Sequence, residues 1–384
     1  MACGGCNRTA PRDQRAAGLA IHVGDRSLAR AAPRGPRLHL KSMKQVGVVD
    51  IAREAGVSTA TVSRVLNGSG AVTEATRAHV REVIARLGYT PNAFAASLRK
   101  GRNDAIGIAV ASISQPWHVK LIRELRRAIR AQGFTTIVYD LEHSEEVLIE
   151  HAESARRLRL AGMVLATGDR LDAPDVRAAL DQLVETVPLV VIGQQLPDAG
   201  WTTVAFDDVT ASEHAVQELL ERRAKPVLFL GEAASSYLSE ERRIGVERAL
   251  RAAPELLEGS ELVTLTAGMD YAAGYREVMA RAASLSQFGT VFCVNDELAL
   301  GACRAVHELG FSVPNDVMVI GYGDVDMLPY VVPSLSSVSG DVHAVAERVV
   351  PAIMAGIDGR RMPNPAKLQR RIVHRESTGG SGEQ

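Results

Sequence analysis

No apolar run in these 384 residues approaches the roughly 20 residues a bilayer-spanning helix needs, so the chain reads as one that does not cross a membrane. Cysteine is scarce: Cys3, Cys6, Cys293 and Cys303 are the only four. Cys3 and Cys6 form a Cys-x-x-Cys with no second Cys/His pair and no βαβ context beside it, which fits neither a zinc site nor a redox pair. Cys293 and Cys303 fall in an apolar strand and the helix after it, where thiols commonly serve as core filler. Such usage excludes a disulfide framework and fits a reducing cytoplasm. The partly apolar Ala16 to Val23 is interrupted by Gly18 and His22 and has no small-residue cleavage pattern, so it is not read as a secretory signal. Enzyme fingerprints are missing too: there is no Gly-x-Gly-x-x-Gly after a strand, no Gly-Lys-Ser/Thr phosphate loop, no Gly-x-Ser-x-Gly elbow and no His-Glu-x-x-His. No catalytic residue, cofactor or metal ligand is therefore assigned. The net charge of −1 does not by itself suggest a polyanionic partner.

What is present is more specific. Val48, Ile51, Ala52 and Ala55 recur at helical spacing, Gly47 can cap the start, and Gly56 supplies a left-handed residue on which the chain reverses. Ser58 then caps a second helix that buries Val62, Val65 and Leu66 and leaves Thr59, Ala60, Ser63, Arg64 and Asn67 on or beside its free face. A third helix runs from its cap Thr73 to Gly88 on the stripe Val80, Val83, Ile84 and Leu87. This is a helix-turn-helix, though a helical hairpin without function would use the same pattern. From Lys44 to Arg102 there are nine Lys/Arg against four acids, the local excess expected of a phosphate-contacting module.

Residues 1–42, rich in Arg, Ala, Gly and Pro, show no hydrophobic periodicity and read as disordered or artefactual, with translation expected to begin at Met43. From Asp104 onward, short β-branched runs (106–110, 137–139, 163–166, 189–192, 227–230, 262–265, 291–294, 317–320) alternate with helical stretches (119–131, 145–160, 213–222, 297–308). That is the rhythm of doubly wound parallel sheets in two halves. The tail 379–384 is expected to be flexible.

Asp50 to Asn67, then Leu87-Gly-Tyr-Thr-Pro-Asn92 with Ala95-Ala-Ser-Leu98, Val294-Asn-Asp-Glu-Leu-Ala-Leu-Gly301, Val313-Pro-Asn-Asp-Val317, Ile320-Gly-Tyr-Gly-Asp324 and Arg375-Glu-Ser-Thr378 resemble, in order, the motifs of the lactose/galactose repressor (LacI/GalR) family over about residues 44 to 378. The resemblance implies a small all-α helix-turn-helix headpiece (44–90), a hinge helix and linker (91–103) and a two-lobed, periplasmic-binding-protein-like α/β domain for effector binding and dimerisation (104–378), with Ala205 to Asp208 near one crossover between the lobes and Ser334 to Asp341 near another. It implies a DNA-binding regulator, most simply a repressor, acting in the cytoplasm as a homodimer on a pseudo-palindromic operator. No leucine heptads follow Thr378 to add a tetramerising coiled coil. Thr59 and Ala60 would face base edges, Arg64 a base or phosphate, and Thr61, Ser63 and Asn67 phosphates, while Ala95 meets the minor groove and Leu98 wedges a base step.

Ligands of open α/β sheets lie beyond the carboxyl ends of the strands. Trp117 and His118 follow the first strand and can stack on and hydrogen-bond an effector, or seal the interlobe seam. Arg242 holds the place of the family's ligand-binding arginine. Asn295 and Asp296 suit hydroxyls or ring nitrogens, or cap the next helix. Met269 stands where relatives place an aromatic platform. Gly323 replaces the first acid of the family's Gly-Tyr/Phe-Asp-Asp run and leaves Asp324 alone, so no known sugar specificity carries over, although a small-molecule effector of carbohydrate type is expected. The rival readings are a solute-binding protein, opposed by the headpiece, and a doubly wound α/β enzyme, opposed by the missing phosphate fingerprints.

Overall fold

The computed structural model describes residues 46–68, 70, 72–89, 103–232, 235–265 and 268–380, in two compact units divided after Thr90. The extension 1–42, the expected hinge helix with Ala95 and Leu98, and residues 381–384 lie outside the described residues.

The first unit holds α1 (Val48–Glu54), α2 (Thr59–Asn67) and α3 (Glu74–Arg86). Local chemistry sets each boundary. Asp50 accepts the Gly47 N–H at 3.0 Å. Gly56 takes φ +63° with nothing within 4 Å of where a Cβ would sit, so backbone conformation and not space demands glycine there. Ser58 Oγ accepts the Thr61 N–H at 3.1 Å to start α2, and Thr73 Oγ1 accepts the Thr76 N–H at 3.3 Å to start α3. Ile51, Val62 and Val80 are wholly buried, with Ala52, Ala55, Val65 and Val83 around them. At about 1.5–3 kcal/mol for each large aliphatic side chain buried, this core is what holds three short helices together.

In the second unit, β1 (Ala105–Val110), β2 (Thr135–Asp140), β3 (Gly162–Ala166), β4 (Leu189–Ile192) and β5 (Thr202–Val204) form an all-parallel sheet in the order β2-β1-β3-β4-β5. Between them run α4 (Pro116–Ala131), α5 (Glu145–Arg157) and α6 (Pro174–Val184). The two-residue period of β1 explains the layering. Ile106, Ile108 and Val110 join Leu121, Leu125 and Ile129 of α4 on one face, while Ala105 and Ala109 meet Leu148 and Ala152 of α5 and Val176 and Leu180 of α6 on the other.

The other lobe contains α7 (Asp208–Arg222), β6 (Val227–Glu232), α8 (Tyr237–Arg251), α9 (Pro254–Leu257), β7 (Glu261–Thr264), α10 (Tyr271–Met279), β8 (Thr290–Cys293), α11 (Asp296–Glu308), β9 (Met318–Gly323), β10 (Ser336–Ser339) and β11 (Arg371–Val373). Its sheet order is β11-β10-β9-β8-β6-β7, with β11 antiparallel to β10. Phe229 and Phe292 stack at its centre, ring centroids 6.0 Å apart. A further helix, α12 (Val342–Ile357), returns to the first lobe and packs Val345, Val349 and Ile353 beside α4. The chain thus crosses between lobes three times. Two crossings pair side by side, Leu368 N–H to Ala205 O at 2.8 Å and Asp207 N–H to Leu368 O at 3.0 Å.

Several elements differ from the sequence reading. α4 begins three residues early because Pro116 fits the first helical position, which puts Trp117 and His118 in its first turn. α7 begins five residues early, Asp207 capping it through the Thr210 N–H, so Asp208 is helical and stands just after the crossover. β5, β10 and β11 were not read as strands; they are three or four residues long, and β10 is mostly serine. Among the described residues no helix is long and apolar enough to cross a membrane.

Candidate functional site

α2 presents the face a groove-reading helix requires. Thr59, Ala60 and Arg64 are exposed, and Thr61 and Ser63 are half-buried; Asn67 ends the helix. The Thr61 hydroxyl shares a 2.9 Å hydrogen bond with that of Ser58. No acid occupies the first turn of α2, so the positive end of the helix dipole is left uncompensated beside the exposed residues.

In the second unit the carboxyl ends of both sheets face one cleft, which encloses a cavity of about 110 Å³. Residues at or just beyond the carboxyl ends of β1, β3, β4, β8 and β9 line it, together with the first turns of α7 and α8. Trp117, His118, Arg242, Met269 and Asn295 meet there. Burial pushes the His118 imidazole down to about 4, against the opposing pull of the Ser112 carbonyl, so the ring is neutral near pH 7. Its Nδ1 lies 2.9 Å from that carbonyl oxygen. A carbonyl can only accept, so Nδ1 carries the proton and Nε2 is the acceptor. The Trp117 indole N–H is buried with no hydrogen-bond partner among the described residues.

Arg242 belongs to a buried charge cluster. Its Nε lies 3.0 Å from Asp208 Oδ1, its Nη1 donates to Val294 O at 2.5 Å, and its guanidinium sits 3.9 Å from the Tyr322 ring centre. Arg370 Nε approaches the same Asp208 oxygen at 3.1 Å, with its guanidinium 3.8 Å from Phe206 and 4.8 Å from Tyr322. Burial alone would raise the Asp208 carboxyl, but Arg370 and Arg242 override it and hold it at about 2. Asp208 is therefore an anion at any physiological pH. Across the cavity, His143 Nδ1 meets Asp169 at 3.0 Å. That hydrogen bond raises the His143 pKa against the effect of burial.

Two expected pocket residues sit elsewhere. Asp296 is wholly buried behind the wall, where Oδ1 accepts the Ser337 hydroxyl at 2.7 Å and Oδ2 accepts the Val325 N–H at 3.0 Å. It fastens β9 and β10 to α11. Its neighbour Glu297 lines the cavity instead, its carboxyl pushed up to about 7 by burial and then by the charge of Asp296. Asp324, at φ +58°, accepts from Arg375 Nη2 at 2.7 Å and does not line the cavity either. Asn295 lines it but both ends of its amide are engaged, Oδ1 capping α11 through the Leu298 N–H at 2.8 Å and Nδ2 donating to Met269 O at 2.7 Å. The sequence reading missed Asp208, Phe206, Arg370, His143 and Asp169. Arg370 lies in a run that looks like a solvated basic stretch, and only the return of β11 beside β10 carries it inside.

A larger groove of about 1020 Å³ lies at the opposite, amino ends of β3, β4 and β5 and is rich in arginine. Parallel sheets do not bind ligands at that end.

A helix-turn-helix unit joined to a two-lobed domain with an interlobe cavity defines a class: DNA-binding regulators of transcription that respond to a ligand. The comparisons agree. Residues 48–92 match the model of bacterial regulatory proteins of the lacI family, and residues 216–378 match the periplasmic binding protein-like domain. Catabolite control protein A of Staphylococcus epidermidis is 29% identical over 337 residues, covering 87% of this chain and 99% of that protein. The lac repressor dimer bound to operator and the anti-inducer ONPF superposes with a TM-score of 0.74 at 23% identity, over 87% of this chain and 99% of that one. The transcriptional regulator CelR in complex with cellobiose gives 0.61 at 24% identity, over 86% and 99%. The chain belongs to the LacI family of transcriptional regulators.

Proposed function

We propose that this protein is a cytoplasmic repressor, not an enzyme, whose affinity for a pseudo-palindromic operator is set by a carbohydrate bound between the lobes, and that it acts as a homodimer. The observation that carries this reading is the cavity at the carboxyl ends of two sheets, where an aromatic ring, a neutral imidazole and a buried arginine converge. Trp117 offers a face for stacking on the apolar side of a sugar ring, and His118 Nε2 accepts from a hydroxyl. Arg242 donates, while Asn295 and Met269 shape the floor. The solved CelR complex holds cellobiose in the same fold, and the lac repressor was solved as a dimer on operator.

Closure of the lobes is the step that couples ligand to DNA. Lys120 Nζ and Arg123 Nη2 of α4 reach Asp326 on the other lobe at 3.0 and 3.3 Å, and Arg170 pairs with Glu240 across the seam. An effector that favours one degree of closure shifts this equilibrium by its difference in affinity for the two forms, commonly 1–3 kcal/mol of coupling. The segment 91–103 transmits the change: in this reading 92–98 orders as a hinge helix on specific DNA, with Leu98 in a base step and Ala95 in the minor groove. Thr59 and Ala60 read bases, Arg64 a base or phosphate, and Thr61, Ser63 and Asn67 phosphates. Selection from random duplexes followed by fluorescence anisotropy tests the reading. A two-fold symmetric site whose affinity changes with added carbohydrate is expected; an asymmetric site, or none, overturns it.

A further inference from the structure

We propose that the effector is an acidic carbohydrate, a sugar acid whose carboxylate is received by Arg370 beside Arg242, and that the cavity selects it over the neutral parent sugar. This rests on the cavity being the effector site. The first support is a charge imbalance inside the wall. Two guanidiniums, with side chains 13% and 3% exposed, share the one carboxylate of Asp208. One positive charge is left over in a region sealed by Phe206 and Tyr322. An excess buried charge is costly unless a counter-charge meets it, and the protein supplies little. Asp169 is engaged by His143, whose pKa it raises, and by the Thr167 hydroxyl. Glu297, raised to about 7, is close to half neutral at cellular pH. Gly323 lines the cavity and brings no acid of its own; the buried Asp296, whose Oδ2 lies 3.2 Å from where a Cβ would fall, is committed to the Ser337 hydroxyl and the Val325 N–H.

The second support is a set of donors with nothing to donate to. Arg370 Nη1 and Trp117 Nε1 are buried without a hydrogen-bond partner among the described residues, and both residues line the cavity. Buried polar hydrogens are rarely left unmet, and what these lack is an acceptor. A carboxylate is the acceptor that also answers the charge, and guanidinium is the side chain best fitted to it. The neutral His118, its ring centroid 5.5 Å from that of Trp117 and presenting Nε2, suits a hydroxyl donor on the same molecule. A carboxylate and neighbouring hydroxyls on one molecule describe an aldonate or uronate.

Calorimetric titration of the full chain with D-gluconate, D-galactonate, D-glucuronate and D-galacturonate, each against D-glucose or D-galactose, tests this. At least one acid should bind ten times more tightly than its neutral parent. Arg370→Gln should remove that preference, while Arg370→Lys, which keeps a cation beside Asp208, should retain most of it. The ratio of acid to neutral affinity is the readout, because a merely structural role for Arg370 would weaken both alike. If Arg370→Gln does not fold, the ratio of acid to neutral affinity in the wild type still decides whether the cavity selects an acid. Neutral sugars binding as tightly as the acids overturn the inference while leaving a carbohydrate-controlled repressor intact. Failure of all four acids overturns it as well, and if the neutral sugars fail too while operator binding persists, the carbohydrate reading falls with it.

Discussion

Replacing Asp208 by Asn tests the buried cluster most directly. The substitution keeps shape but removes the charge on which Arg242 and Arg370 converge, and turns an amide donor toward two groups that can only donate. Two routes bound the loss. With the carboxyl held at about 2 against an ordinary 3.8, the charged form is favoured by close to two pH units, about 2 kcal/mol. Breaking a buried ion cluster by removing one partner costs about 3–5 kcal/mol. The first figure describes a protonated acid that still accepts hydrogen bonds, and the amide is the worse replacement, so the expected loss lies between about 2 and 5 kcal/mol. The pH dependence has a definite sign. A depressed carboxyl contributes stability above its ordinary value near 4 and loses it as pH falls through about 2, so the wild type should weaken across that window and the Asn variant less so. Urea unfolding at pH 7 should be followed by far-UV circular dichroism. Trp117 packs against the cores of both lobes and Trp201 belongs to the first, so tryptophan fluorescence would not report the lobe holding Asp208 by itself. Adding Arg370→Met to the Asn variant should recover part of the loss, since it removes one of the stranded cations. A loss below about 1 kcal/mol in Asp208→Asn would refute the cluster as a buried, mutually dependent unit.

Arg64→Ala should lower specific operator affinity by about 1–3 kcal/mol if its contact is bidentate to guanine, and an unchanged footprint and salt slope would remove α2 from the interface. Gly301→Ala would drive a Cβ to within 1.9 Å of Tyr271 O where α10 and α11 touch; overpacking of this kind costs about 1–3 kcal/mol, and an unaltered melting midpoint would contradict the close approach. Asp169→Asn should bring the His143 pKa, followed by NMR, down toward its ordinary 6.5. Because that pKa is raised in the folded state, its stabilising contribution is complete below 6.5 and fades as pH rises through the raised value; an unmoved titration would rule out the Asp169 contact.

Wherever one local rule governs an element, the sequence was enough to read it. Ser58 and Thr73 announce helix starts through their side-chain oxygens, and β1 declares itself by an unbroken buried run. Legibility failed where burial is polar. Ser336 and Ser337 fill β10 with hydroxyls that bond to Arg375, Thr378 and Asp296, and no hydropathy pattern can mark such a strand. The cavity shows the same division. Trp117, His118 and Arg242 follow strands closely enough to be found, whereas Asp208 and Arg370 are 162 residues apart and meet only because the lobes exchange segments. Asp296 and Asp324 misled because a carboxylate after a strand serves a fastening role as readily as a binding one.

The return of α12 to the first lobe also bears on how the protein is made. β5 ends at Val204 and α12 starts at Val342, so at about 5–20 residues per second the ribosome needs roughly 7 to 28 seconds between completing the first sheet and delivering the helix that covers it. Throughout that interval Val164, Val190 and Val204 lack the partners Val345, Val349 and Ile353 with which they share a core, and the whole of α7 to β10 emerges in the meantime. The second lobe, short only of β11, can close first. Nascent chains arrested before Val342 therefore carry an apolar sheet face that α4 covers only in part, and it is at this stage of synthesis that a chaperone has most to hold.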